Sequence, residues 1–309
     1  MRLATLRLAP FLALLATAGQ ARDRLGDELV LDIDRPYVTA RIGQATLLLR
    51  VDFASKDVVE LNTPAALRTG IKFQPGFEAQ IGPIVLPGIQ AAATIETGGY
   101  SAKVAVSNHN RDCCIGADGM IAPDLLPYRT VRLLRPGGPA AGEVVSEQRL
   151  DNEDGTGLNL RLNTEKGSMR LQLALWQARS VATAAAGARL AALGEGRLVG
   201  KVFTTPGPFG LDRPSRELIL ARPVALGGFR FDRLAMRLGD FRGNLSQPAI
   251  SESGDADDIL VEGRRKADQF AWPLIYVGRD RLARCSGISF RRKPDRVTLS
   301  CLPPLAAAD

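Results

Sequence analysis

The chain has 309 residues, 45% of them hydrophobic, with 40 Lys+Arg, 33 Asp+Glu and one His. That length suits two modest domains or one large one, and that apolar fraction is enough for a real core. The net charge of +7 is not gathered into a basic block interleaved with aromatics, which excludes a nucleic-acid-binding surface of the usual kind.

The first residues, Met1 to Arg7, carry two positive charges, and an apolar run of eleven residues follows from Leu8 to Ala18. A membrane-spanning helix needs about twenty. Small residues then stand at signal-peptidase spacing, as Ala16-Thr17-Ala18 or Gly19-Gln20-Ala21. Residues 1–21 are therefore expected to be a secretory signal peptide. Its removal leaves 38 Lys+Arg against 33 Asp+Glu, a net charge of +5. No later apolar stretch reaches spanning length, so the exported body is expected in the periplasm or outside the cell, with no membrane insertion.

Short β-patterned runs separated by Gly and Pro dominate the rest of the chain. They include residues 29–33, 45–51, 84–86, 100–106 and 229–238. Thr63 to Gly70 reads as a short helix, with Thr63 as N-cap, Pro64 at the first helical position and Gly70 at its end. Ala182 to Leu193 is Ala-rich and reads as a second helix. Residues 143–157 are polar and rich in Gly and Asp, the composition of a linker. Residues 251–258 contain Asp255, Asp257 and Asp258 but lack calcium-loop spacing, so a solvated turn is expected. The charged stretch 262–268 reads as a solvated loop.

Four cysteines are present. Cys285 and Cys301 flank a β-patterned stretch with Lys293-Pro294-Asp295 near its middle. A hairpin there would bring the two face to face, and export favours their disulfide. Cys113 and Cys114 are adjacent. With the lone His109 nearby they fall short of a zinc ligand set, so they read as a vicinal disulfide or two structural thiols. No metal or other cofactor is expected.

A weak repeat runs through the chain. Residues 47–71 and 169–193, set at an offset of 122, both read as strand, turn, strand and short helix. Each is followed by a second marker, Met120-Ile121-Ala122 in the first half and Tyr276-Val277-Gly278 in the second, leading into a short Leu-containing segment. The arrangement resembles the aspartic peptidases, in the retropepsin and pepsin sense. In that family each lobe has an apolar strand ending in Asp-Thr-Gly or Asp-Ser-Gly and a later apolar-apolar-Gly element beneath it. Val51-Asp52-Phe53-Ala54-Ser55 is similar to the first element, and Tyr276-Val277-Gly278-Arg279-Asp280 to the second.

The resemblance implies an all-β fold of two related retropepsin-like (pepsin-like) lobes flanking a cleft, with few short helices. It divides the chain into a signal peptide at 1–21, a first lobe at 22–142, a linker at 143–157 and a second lobe at 158–309. It also implies a chemistry in which two facing carboxylates share one proton and activate water.

Three positions depart from the family pattern. Ala174 stands where the second Asp belongs, Phe53 where the hydroxyl belongs and Ala54 where the Gly belongs. Asp154-Gly155-Thr156-Gly157 has the right letters in the wrong order and lies ahead of its strand. Asp52 therefore reads as a lone catalytic-type residue or as a turn residue accepting backbone N–H bonds. Phe53, Ala54, Ser55, Tyr100, Ala174 and Trp176 are the expected binding residues. Trp176 reads as cleft lining or as core. Gly98-Gly99-Tyr100 reads as part of a flap or as a plain β-turn. The functional expectation is an exported, non-catalytic protein that binds an extended peptide or protein partner between its lobes. The alternatives are an active aspartic endopeptidase using Asp52, and a structural envelope protein with a closed lobe interface.

Overall fold

The computed structural model describes residues 24–303 except 56, 82–83, 152–156 and 240–272. The expected signal peptide and the polar stretches 251–258 and 262–268 lie outside the described residues.

The chain is all-β with few short helices. Its first half contains β1 (Gly26–Asp32), β2 (Tyr37–Ile42), β3 (Ala45–Val51), β4 (Val59–Leu61), β5 (Gln74–Pro75), β6 (Ala79–Ile81), β7 (Ile84–Leu86), β8 (Ile89–Thr97), β9 (Tyr100–Asn108), β10 (Gly119–Ile121), β11 (Tyr128–Leu134) and β12 (Val144–Arg149). Its second half contains β13 (Leu160–Thr164), β14 (Gly167–Leu173), β15 (Val181–Ala182), β16 (Gly196–Thr205), β17 (Arg213–Leu226), β18 (Phe229–Arg237), β19 (Leu274–Val277), β20 (Cys285–Arg291) and β21 (Arg296–Cys301). Helices α1 (Thr63–Arg68), α2 (Ala184–Gly194) and α3 (Arg279–Leu282) complete the set.

Alternation makes the strands. In β3, Leu47, Leu49 and Val51 are buried while the intervening residues face outward or lie half-buried, the period of two that a one-sided sheet requires. Helix α2 begins at Thr183, whose hydroxyl accepts the Ala186 N–H, satisfying one of the first-turn donors that have no intrahelical partner.

Each lobe is a seven-stranded sheet, and the two correspond strand for strand. The orders are β2-β3-β10-β4-β9-β8-β5 and β13-β14-β19-β15-β18-β17-β16. Their successive pairings are antiparallel, parallel, antiparallel, parallel, antiparallel and antiparallel in the first sheet. The second sheet follows the same sequence of senses. Such agreement makes the offset-122 repeat a structural duplication.

A five-stranded sheet, β1-β11-β20-β21-β12, draws strands from both halves and joins the lobes. Residues 144–149, expected within a linker, are here an edge strand paired with β21. That strand opens on two exposed valines, Val144 and Val145, and continues with polar residues, so its sequence carries no apolar alternation. Cys285 and Cys301 are register partners in the β20–β21 hairpin and form a disulfide. One apolar core runs through both lobes. No helix among the described residues is long and apolar enough to cross a membrane.

Candidate functional site: the interlobe cavity

The two lobes meet at equivalent loops. In the first, the Asp52 N–H donates to the Ile121 carbonyl at 3.0 Å and the Ser55 N–H to the Asp52 carbonyl at 3.2 Å. In the second, the Ala174 N–H donates to Val277 at 2.9 Å and Gln177 to Ala174 at 3.0 Å. Asp52 and Ala174 are thus the same position in the two copies. The strand that passes beneath each loop then turns into a helical segment, Pro123–Leu125 or α3. Gly278 is needed there because a Cβ would lie 2.5 Å from the Arg179 carbonyl carbon.

Asp52 has no solvent exposure. One carboxylate oxygen accepts the Ala54 N–H at 2.8 Å within its own loop. The other accepts the Trp176 N–H at 3.0 Å across the lobe interface. Burial raises its pKa to about 6, against the opposing pull of the Arg50 charge and the N–H groups of Ala54, Trp176 and Leu175. Desolvation penalises the charged form more than these partners favour it. No carboxylate is among the groups that shift it. Among the described residues, no second carboxyl stands where it could share the Asp52 proton, and the equivalent position in the second lobe is Ala174.

Above these loops lies a cavity of about 700 Å³ including its mouth, with walls from both lobes. Of the expected binding residues, Ala54, Ser55 and Trp176 line it. Phe53 and Ala174 do not. Both are buried, and Phe53 packs into the apolar core. Tyr100 does not line it either. The Gly98-Gly99 turn joins β8 to β9, and the Tyr100 ring packs edge-on against Tyr128 at 5.4 Å. Asp52 lies beneath the cavity and is not part of its wall.

Sequence reasoning missed a polar cluster in this wall. Glu60 sits in β4 between Val59 and Leu61, all three buried. Its carboxylate meets His109 Nδ1 at 3.0 and 3.1 Å and accepts the Ser107 hydroxyl. The parallel β4–β9 pairing places Glu60 opposite Ser107 and brings His109, just beyond the end of β9, to the same face. A Glu inside a short apolar strand was the available signal. The His109 ring packs against Phe77 at 5.1 Å and Phe209 of the second lobe at 4.6 Å. Further interlobe bonds run from Arg111 Nε to the Phe209 carbonyl and from Arg213 to the Ile81 carbonyl.

Cys113 and Cys114 form a vicinal disulfide beside this cluster. Its backbone is held by Asn62. Asn62 Oδ1 accepts the Cys113 N–H at 2.9 Å and the Cys114 N–H at 3.3 Å. Asn62 Nδ2 donates to the carbonyls of Cys114 and Ala117. Asn62, and not Thr63, occupies the N-cap position of α1, yet its side chain makes no cap bond, being committed to the cysteine loop. No cluster of three or more His, Cys, Asp or Glu side chains suited to a metal ion occurs among the described residues.

No family model matches the chain, and no curated protein does. Among solved structures, the EIAV protease in complex with an inhibitor is similar at 19% identity and a TM-score of 0.24, over 30% of this chain and 85% of that one. What the fold itself defines is an all-β, two-lobed protein with an internal duplication and a cavity between the lobes.

Proposed function

We propose that this chain is an exported, non-catalytic protein of aspartic-peptidase-like architecture that binds an extended peptide in its interlobe cavity. The observation that carries the reading is the state of Asp52. Its carboxylate is buried and bonded to N–H groups of both lobes, and its counterpart in the second lobe is Ala174. It serves as a tie between lobes, and the chemistry of a shared proton has no second member. The cavity above it remains lined by both lobes.

The walls suit such a ligand. Val58, Met120, Phe77, Phe209 and Tyr276 supply apolar and aromatic surface, the usual lining of a binding pocket. Arg50 Nε, Ser55 Oγ and Trp176 Nε1 belong to lining residues and are buried without a hydrogen-bond partner. Buried polar atoms of this kind call for a partner, and these three can donate to the carbonyls of an extended backbone.

The test is fluorescence titration of a Trp272→Phe variant, in which Trp176 is the remaining tryptophan, with short synthetic peptides carrying one central apolar side chain. Saturable change in Trp176 emission is expected, and Met120→Arg should abolish it. Emission unchanged by every such peptide would contradict the reading.

A further inference from the structure

The two disulfides stand in different structural situations. Cys285–Cys301 links residues 16 apart across paired strands, with Cys285 buried and Cys301 half-buried. Closing a loop of that size restricts the unfolded chain, which is how most disulfides stabilise. Cys113–Cys114 links neighbours and closes no loop. Nor is it needed to hold its own backbone, since Asn62 already bonds both cysteine N–H groups and the Cys114 carbonyl. The chain-entropy account gives this bond no stabilising role.

Its placement gives it another. Cys113 is half-buried and lines the interlobe cavity, whereas Cys114 is buried. On the same wall stands His109, with Nδ1 bonded to Glu60 and a buried Nε2 that has no hydrogen-bond partner. We propose that Cys113–Cys114 is an exchange-active centre that oxidises a dithiol entering the interlobe cavity.

A thiolate of the dithiol attacks Cys113 Sγ, the sulfur on the cavity side. A bond forms between the substrate sulfur and Cys113, the Cys113–Cys114 bond breaks, and Cys114 leaves as a thiolate. The second substrate thiolate then attacks the first substrate sulfur, forming the substrate disulfide and releasing Cys113 as a thiolate. Two electrons pass from dithiol to cystine, and the two substrate protons end on Cys113 and Cys114. The same steps in reverse, with a small disulfide compound, restore the starting state. Attack is governed by access and by which sulfur is reached, and the fold offers Cys113. This proposal does not depend on peptide binding.

The purified protein is incubated with dithiothreitol, quenched by alkylation at successive times and mapped by mass spectrometry. Cys113 and Cys114 should be alkylated together at least about tenfold faster than Cys285 and Cys301, which the paired strands hold in register for re-closure. With the monothiol glutathione, the mixed disulfide should map to Cys113. The double variant Cys113→Ala/Cys114→Ala should keep the wild-type far-UV spectrum and a cooperative thermal transition. Equal reduction rates for the two disulfides, an adduct on Cys114, or loss of the transition in the double variant would each overturn the proposal.

Discussion

At equivalent places in the two lobes the backbone makes the same bonds while the buried side chains diverge. Asp52 and Ala174 donate to Ile121 and Val277 in the same way, but one carries a carboxylate and the other a methyl. A few residues later the contrast repeats. Glu60 pairs with Ser107 in register, and the corresponding partners in the second lobe are Ala182 and Met236. Two residues beyond Ser107 and Met236 stand His109 and Leu238. The first lobe has kept buried polar chemistry, and the second has filled the same sites with apolar atoms. Duplication fixes strand order and register through backbone hydrogen bonds, which any side chain can make. The side chains beneath are constrained only by packing and by the need to satisfy polar atoms.

The largest expected effect comes from breaking the asymmetry at Asp52. Asp52→Ala leaves the N–H groups of Ala54 and Trp176 buried without an acceptor, and the second of these bonds spans the lobes. Unfolding by urea should show a loss of about 3–4 kcal/mol, the scale of a disrupted buried network. Ala174→Asp sharpens the same comparison from the other side. It brings a second buried carboxylate to Asp52, and like charges there should make the variant progressively less stable as pH rises.

Asp52 also makes wild-type stability depend on pH. Its folded pKa is raised to about 6, above the roughly 3.9 of an unfolded Asp. The native state therefore holds the proton more tightly, and stability falls as pH rises between those two values. Asp124, raised to about 6 by burial and by Asp57 and Asp295 against the pull of Arg292, acts in the same sense. Each group accounts for about 3 kcal/mol across that window. Asp52→Asn or Asp124→Asn should each flatten the curve of unfolding free energy against pH.

The disulfides should separate next. Cys285→Ser should cost about 2–4 kcal/mol, whereas Cys113→Ala/Cys114→Ala should cost less than about 1 kcal/mol, since it opens no loop. Glu60→Gln should be mild as well. An amide oxygen can still accept the Ser107 hydroxyl, so thermal melting should show a loss of about 1 kcal/mol, against about 2–3 kcal/mol for Glu60→Ala.

Much of the fold was legible. The strand, turn, strand and helix order at offset 122, and the paired markers ending at Ala122 and Gly278, depend on local pattern and on the close packing that Gly278 allows. What was not legible depended on contacts between distant segments. Residues 144–149 lack apolar alternation, since their two valines are exposed and the rest are polar, so they read as linker. Phe209 reaches His109 from the other lobe, which no local pattern encodes. Phe53 and Tyr100 were expected at the cavity and lie elsewhere, because packing in the apolar core and the Tyr128 contact decide where their rings go. Glu60 escaped notice although a carboxylate between two buried apolar residues demands a partner.

The central claim is that the Asp52 carboxylate ties the lobes together and does not activate water. Incubating the purified protein with denatured casein from roughly pH 3 to 7, the range in which paired carboxylates work, tests this most directly. The account predicts intact casein at every pH, for the wild type and for Asp52→Asn alike. Cleavage by the wild type that disappears in Asp52→Asn would contradict it.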